Sequence, residues 1–423
     1  MPAPAEMSTM TGYRPGSAAY RRVVVALFAA GVATFATLYS TQAILPELAS
    51  QFGVSSTAST LAVSLTTLGL GAALLVTGPL SDVSGRTRLI HLSLAASAVL
   101  AAGCALAPTW PALLGLRLLQ GVALAGLPAV ATAYLREELH PSTHARAAGL
   151  YIGGTALGGM AGRLLTGAVA EAWGWRWALA ATAALGVSCA LAVRALLPPS
   201  RRFAAGPAGA RAFLRTSLRA LSDRGLLALY GVGGCSAGAL VAVFNTLGFR
   251  LAGAPFHLGL GAASLLFLVY PLGSVSSAVF GRLADTHGRR PVLPLGCLLA
   301  VTGALLTLPS SLLVVVTGLA LLTAGFFAVH GVASGWVPAR AHAGGVATGQ
   351  AASLYLFSYY LGSSVFGSLA GLAWTAYGWS GVVGLATLLL SATAALALLL
   401  RRTPTLLEGS PEGSPEGSRE GAR

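Results

Sequence analysis

Gly78-Pro79-Leu80-Ser81-Asp82-Val83-Ser84-Gly85-Arg86-Thr87-Arg88 lies between two long apolar runs, one beginning near Ala58 and the other at Leu89. A second version, Gly281-Arg282-Leu283-Ala284-Asp285-Thr286-His287-Gly288-Arg289-Arg290, follows 203 residues later in the same setting. Each puts a carboxylate, a glycine turn and a pair of arginines into a short link between two apolar segments. Gly78 and Gly281 have no side chain to hold neighbouring helices apart. Asp82 and Asp285 can pair with the adjacent Arg86 and Arg88, or Arg289 and Arg290, or cap a nearby helix N-terminus. Gly85 and Gly288 permit the tight reversal. The duplication divides the chain into two related halves.

Outward from these links, the composition fixes the class. Of 423 residues, 55% are hydrophobic and 9% charged, and runs of about 20 apolar residues recur along the whole length, each long enough to cross a bilayer. Twelve such runs can be counted, without the short alternating segments of a membrane barrel. The expected fold is therefore an all-α membrane protein of twelve transmembrane helices in two pseudo-symmetric six-helix bundles. The bundles are residues 21–197 and 225–400, joined by a linker at 198–224 whose arginines space out as a basic amphipathic helix. The tails, 1–20 and 401–423, read as disordered.

The net charge of +14 does not indicate a nucleic-acid partner. All 26 basic residues are Arg, and with a cytoplasmic N-terminus only Arg176 and Arg250 fall outside, while Arg117 and Arg163 fall within helices. That bias fixes both termini in the cytoplasm and names the bilayer as the partner. The first apolar run is too long for a cleaved signal, and Arg21-Arg22 anchors it. Cys104, Cys189, Cys235 and Cys297 sit singly, so no metal or cofactor is expected.

Within the spans, polar residues stand out against the apolar background. Span 1 carries Gln42 before Pro46, which closes or kinks it. Span 4 carries Arg117-Leu118-Leu119-Gln120-Gly121, and an Arg inside a bilayer must face a partner or a wet cavity. In span 5, Gly154, Gly158 and Gly162 form a flat strip for close helix contact, followed by Arg163. Trp173, Trp175 and Trp177 read as an outer aromatic belt. Span 7 carries Asn245, span 10 His330, and span 11 Tyr355 and Tyr359. An offset of 204 matches Gly158 to Gly362, Gly174 to Gly378 and Trp175 to Trp379, and sets Gly367 opposite Arg163.

The two links resemble the loop 2–3 pattern G-x-L-[AS]-D-x-x-G-R of the Major Facilitator Superfamily of secondary transporters. Val83 replaces the basic residue usual there. R-x-x-Q-G in span 4 resembles a second pattern of proton-coupled exporters. Gly154–Arg163 is similar to the span 5 antiporter pattern, with Gly159 in place of Pro and Arg163 in place of the last Gly. Segments 39–47, 153–167 and 326–336 look most like bacterial drug or sugar exporters. The resemblance implies alternating access around a midplane site and a cytoplasmic gate built from Gly78, Asp82, Gly85, Arg86, Arg88, Gly281, Asp285, Gly288, Arg289 and Arg290. Gln42, Arg117, Gln120, Arg163, Asn245, His330, Tyr355 and Tyr359 then become the substrate or coupling candidates. No acid lies in mid-span, which leaves Glu47 and His330 nearest to a proton site and favours anionic or neutral solutes. The expectation is a monomeric, non-enzymatic carrier of the bacterial inner membrane, with the proton as coupling ion and efflux of a small drug, sugar or metabolite. An anion carrier or uptake system using Arg163 is the alternative, and a membrane sensor the remote one.

Overall fold

A computed structural model describes residues 12–201 and 210–403, without the side chains of Pro79, Asp82 and residues 210–214. The Asp82 carboxylate, most of both tails and part of the linker thus lie outside the described residues. The first half comprises α1 (Ala18–Leu38), α2 (Leu45–Phe52), α3 (Ser56–Ser84), α4 (Arg86–Ala105), α5 (Trp110–Leu124), α6 (Gly126–Glu138), α7 (His144–Trp173) and α8 (Trp175–Leu196). After α9 (Ala210–Ser222) come α10 (Arg224–Ala252), α11 (Leu260–Ser264), α12 (Tyr270–His287), α13 (Arg289–Leu306), α14 (Leu312–Ala343) and α15 (Thr348–Arg402). Among the described residues ten stretches are long and apolar enough to cross a membrane. One of them, α15, reverses at Gly378 (φ 61) and holds two crossings. The thirty-residue α7 adds another, which makes twelve.

Both ends of the described chain lie on one side, here called near. Tyr13 N–H donates to the Glu138 carbonyl (3.0 Å), and Arg290 donates to the Thr403 carbonyl (2.6 Å). Order therefore starts inside the expected tail: Ser17 caps α1, its hydroxyl accepting from Tyr20 N–H (3.2 Å). Gly85 (φ 91) and Gly288 (φ 83) make the two near-side reversals in the left-handed region, where a side chain is strained.

Close packing follows the glycine strip. A Cβ on Gly154, Gly158 or Gly162 would come within 3.0, 2.6 and 2.6 Å of the Cα atoms of Phe28, Val32 and Ala36. α7 thus lies backbone to backbone on α1, and Gly362 does the same against Gly234 Cα (2.6 Å). Gly78 and Gly281 do not act this way, because a Cβ on either would meet nothing within 4 Å. Nor does the link begin there: α3 continues to Ser84, so only Gly85 turns. The belt also needs correction. Trp173 and Trp177 are exposed, but Trp175 is 4% exposed and packs on Phe52 at 5.3 Å between ring centres.

Span 1 breaks seven residues earlier than Pro46 suggested. α1 stops at Leu38, residues 39–41 turn, and Gln42–Ile44 forms a short 3-10 helix before α2. Pro46 forbids a continuous α-helix because its ring would strike the Gln42 carbonyl and its nitrogen has no hydrogen to give. Ser40 adds a competing bond from its hydroxyl to the Thr37 carbonyl (2.9 Å). This break turns Gln42 into the interior.

Candidate functional site

The halves meet along three seams, all on the far side or at mid-depth. Between α3 and α15, Thr67 pairs with Ser364 (2.8 Å), Ser364 donates to the Ser64 carbonyl (2.8 Å) and Ser56 pairs with Thr375 (3.1 Å). Between α7 and α11, the Gly261 N–H donates to the Glu171 carboxylate. In the third seam Gln42 Nε2 donates to Asn245 Oδ1 (2.6 Å), and Asn245 Nδ2 donates to the Gly367 carbonyl (3.4 Å). Among the described residues no hydrogen bond joins the halves nearer the described chain ends than that of Thr67 with Ser364. The near-side ion pairs, Arg86–Glu137 (2.9 Å) and Arg340–Asp223 (2.6 Å), stay within their halves. The far side is shut.

Arg163 sits at the inner end of that seal and is 1% exposed. Its Nε donates to Gln42 Oε1 (2.6 Å), Nη1 to the Gly159 carbonyl (2.6 Å) and Nη2 to the Tyr270 hydroxyl (3.2 Å). The guanidinium lies over the rings of Tyr39 (4.1 Å), Tyr270 (4.5 Å) and Phe267 (5.0 Å), which offsets part of its desolvation cost. No carboxylate contacts it among the described residues. Three of its five donors are thereby used and two remain. Among the described residues the buried cation is thus held by neutral groups alone.

From Arg163 an aromatic wall runs across the second half. Tyr270 is 6.2 Å from Phe327, Phe327 is 5.0 Å from Phe326, and Phe326 lies nearly parallel to the His330 ring (9°) at 5.7 Å. His330 Nδ1 bonds the Tyr355 hydroxyl (3.0 Å), and Tyr359 is 5.0 Å from the same imidazole. Phe327, His330 and Tyr359 are partly exposed, whereas Tyr355 is buried. Three candidates from two spans thus form one cluster.

Arg117 and Gln120 belong elsewhere. Arg117 is 0% exposed, and all three of its nitrogens are engaged. It donates to the carbonyls of Ala62 (2.8 Å), Thr37 (3.0 Å) and Leu38 (2.7 Å) and to Gln120 Oε1 (2.5 Å). Thr37 and Leu38 are the last residues of α1, where the break frees carbonyls from the helix ladder, and Ala62 lies on the neighbouring α3. Arg117 is therefore a C-terminal cap for α1 and lies outside the wall. Gln120 holds it in place while donating to the Ser97 carbonyl (3.3 Å). Glu47 is likewise engaged, accepting from the Trp175 N–H at the head of α8 (2.8 Å).

On the near side, Arg86 reaches Glu137 and the Ser81 hydroxyl, while Arg88 and Asp285 are exposed. Arg290 caps the end of α15 through the Arg401 and Thr403 carbonyls. Asp223, just ahead of the α10 span, takes Arg340 instead. Partial burial pushes its carboxyl up, but the Arg340 guanidinium and the N–H groups of Leu226 and Gly225 outweigh that and hold it below the ordinary carboxylate range. Residues unnoticed in the sequence include Tyr39, Phe267 and Tyr270, the three faces around Arg163. The one available signal was Tyr270-Pro271, a lone tyrosine beside a helix-breaking proline in span 8.

Comparison with known proteins gives a consistent result. The family model for the Major Facilitator Superfamily matches residues 27–349. The MFS-type transporter YybF of Bacillus subtilis (strain 168) is 40% identical over 381 residues, covering 90% of this chain and 94% of its own. The inner membrane transport protein YnfM of Escherichia coli (strain K12) is 40% identical over 375 residues, 89% of each chain. A bacterial homologue of the human lysosomal transporter Spinster, solved inward-facing and occupied, shares the fold at a TM-score of 0.75 and 15% identity, covering 94% of this chain and 100% of that one.

Proposed function

The chain belongs to the Major Facilitator Superfamily, and from that premise we propose that it carries a small anionic solute across the bacterial inner membrane by alternating access. It is a transporter and not an enzyme, as its relatives are. The observation that carries the anionic reading is Arg163: buried, without a carboxylate, and with donors to spare. An anion binding there competes with Gln42 for the guanidinium. Gln42 also holds Asn245 across the far seam, so occupancy weakens the seal from within. The near side, rich in arginine, is the cytoplasmic side in this reading, and the present conformation opens inward. Gly85 and Gly288 then serve as pivots of the cytoplasmic gate, with Arg86, Arg88, Asp285, Arg289 and Arg290 engaging when it closes.

Thermal-shift measurements on the purified full chain against sodium salts of organic acids, matched neutral amides and amines test this. Acids stabilise the protein and the others do not, and Arg163→Gln removes the acid response. If amines stabilise as strongly as acids, or if Arg163→Gln responds like wild type, the anionic reading is wrong. Proton-coupled export is a second reading, supported by His330, which stands in the wall with Nδ1 bonded to Tyr355 and can exchange a proton. Flux in vesicles that ignores both a pH gradient and His330→Gln would remove it.

A further inference from the structure

The geometry points to an aromatic carboxylate as the solute, an inference that rests on the anionic reading and narrows it. Three observations converge. The faces of the Arg163 guanidinium are already covered by Tyr39 and Tyr270, so a ligand meets only its edge. Edge donors in one plane match the two oxygens of a carboxylate. From Tyr270, which contacts that guanidinium, a run of partly exposed rings continues across the second half through Phe327, His330 and Tyr359. They form one contiguous surface, because Tyr359 touches both Phe326 (6.2 Å) and His330 (5.0 Å).

A wall of rings distinguishes a planar π system from an aliphatic body of equal volume, since offset and edge-on ring pairs add to simple area burial. At the far end of the wall, His330 Nε2 has no hydrogen-bond partner among the described residues and is not among the enclosed unpaired polar atoms. A ring hydroxyl can meet it there. The first half supplies the charge and the second supplies the ring surface, so a solute holding both groups bridges the halves.

Isothermal titration of the purified full chain with benzoate, cyclohexanecarboxylate and benzamide separates these elements. Cyclohexanecarboxylate keeps the charge and approximate size of benzoate but lacks its π face, and benzamide keeps the ring but lacks the charge. Benzoate should bind about 2- to 12-fold more tightly than cyclohexanecarboxylate and about tenfold or more tightly than benzamide, with 4-hydroxybenzoate tighter still. Phe327→Leu should bring the benzoate to cyclohexanecarboxylate ratio close to one, while Phe327→Tyr should retain it and serve as the check on folding. Equal binding of benzoate and cyclohexanecarboxylate by wild type overturns the aromatic inference and leaves the anionic reading intact. Equal binding of benzoate and benzamide overturns the anionic reading itself. If neither carboxylate binds at millimolar concentration, the aromatic class is wrong, and the wider acid panel decides the role of Arg163.

Discussion

The two halves of the molecule make the same joints and carry different charges. Gly167 on α7 packs on Ser264 and Leu260 across the seam, and Gly371 on α15 packs on Thr57, the position equivalent to Leu260 after a shift of 203. Arg176 caps the far end of α4 through the carbonyls of Ala105 and Ala107. Arg250 does so for α13 through Leu308 and Pro309. Where the first half has Arg117, however, the second has Ala320, and where it has Arg163 the second has Gly367. The first difference is structural: α1 breaks at Leu38 and needs a cap, whereas α10 runs unbroken from Arg224 to Ala252. The second difference has no such backbone cause. Arginine 163 ends in a mixed aromatic and amide setting, and its counterpart leaves room for Asn245. Asymmetry that the backbone does not require is the kind to assign to the solute.

The hardest test of that distinction is Arg117→Leu. It leaves the Leu38 carbonyl buried without a donor, at about 1–3 kcal/mol, takes the guanidinium bond from the Thr37 and Ala62 carbonyls, and empties part of a fully buried side-chain volume. Thermal unfolding and size-exclusion profiles should show a severe loss of folded protein whatever solute is present. A variant as stable as wild type would falsify the capping account. Arg163→Gly, which makes the halves alike, should have the opposite profile. Its folded yield and melting behaviour stay near wild type, while transport of the bound anion falls about 10- to 100-fold, as expected from losing a charged hydrogen bond of 1.5–3 kcal/mol. Collapse of the fold on Arg163→Gly would place it with Arg117 as a structural group.

A subtler comparison concerns the seam itself. Gln42 and Asn245 occupy equivalent positions, 203 residues apart, and bond to each other across the two halves. Gln42→Leu removes the donor to Asn245 and the acceptor for Arg163 together. The far side should open more often, by about fivefold for the loss of one net hydrogen bond near 1 kcal/mol. Accessibility of a cysteine placed at Ser56 to a membrane-impermeant reagent added from the far side measures this. An unchanged labelling rate would show that the α3–α15 and α7–α11 seams carry the closure alone.

Much of this arrangement can be read directly from the chain. Gly85 and Gly288 announce themselves because a repeated glycine between apolar runs has one economical use, a reversal in the left-handed region. The strip of Gly154, Gly158 and Gly162 is legible because helical spacing alone places it on one face. The setting of Arg163 is not, since Tyr39 follows α1 while Phe267 and Tyr270 neighbour each other in span 8, and only tertiary packing brings the two segments together around α7. Arg117 misleads for a related reason. Its identity as a buried charge is plain, but the Leu38 carbonyl it serves is left without a helical donor only once α1 has broken. The row of tryptophans at 173, 175 and 177 cannot say which ring points inward. Gly78 sits in a recognisable pattern yet faces open space, because pattern position does not fix helix rotation.

The smallest expected effect concerns the near-side ion pairs, where the halves again differ. The first half joins Arg86 to Glu137 between α4 and α6, and the second joins Arg340 on α14 to Asp223 at the head of α10. Positions 137 and 340 are equivalent but of opposite charge, so each half has reached its own pairing. Asp223 also accepts from the Leu226 N–H (2.6 Å), which caps α10. Because its folded-state pKa is lowered, its ionised form adds stability above the ordinary carboxylate range, and that contribution is lost as pH falls through the lowered pKa. The carboxylate side chain is 24% exposed, so the effect is about 1 kcal/mol or less. Melting curves of wild type and Asp223→Asn should differ at pH ~7 and converge toward pH ~3. A gap that persists unchanged to acid would assign the cost of the substitution to the lost cap geometry and not to the charge. Reversing the pair, with Arg340→Glu and Asp223→Arg together, would then fail to restore stability, since an arginine at the head of α10 cannot accept from the Leu226 N–H.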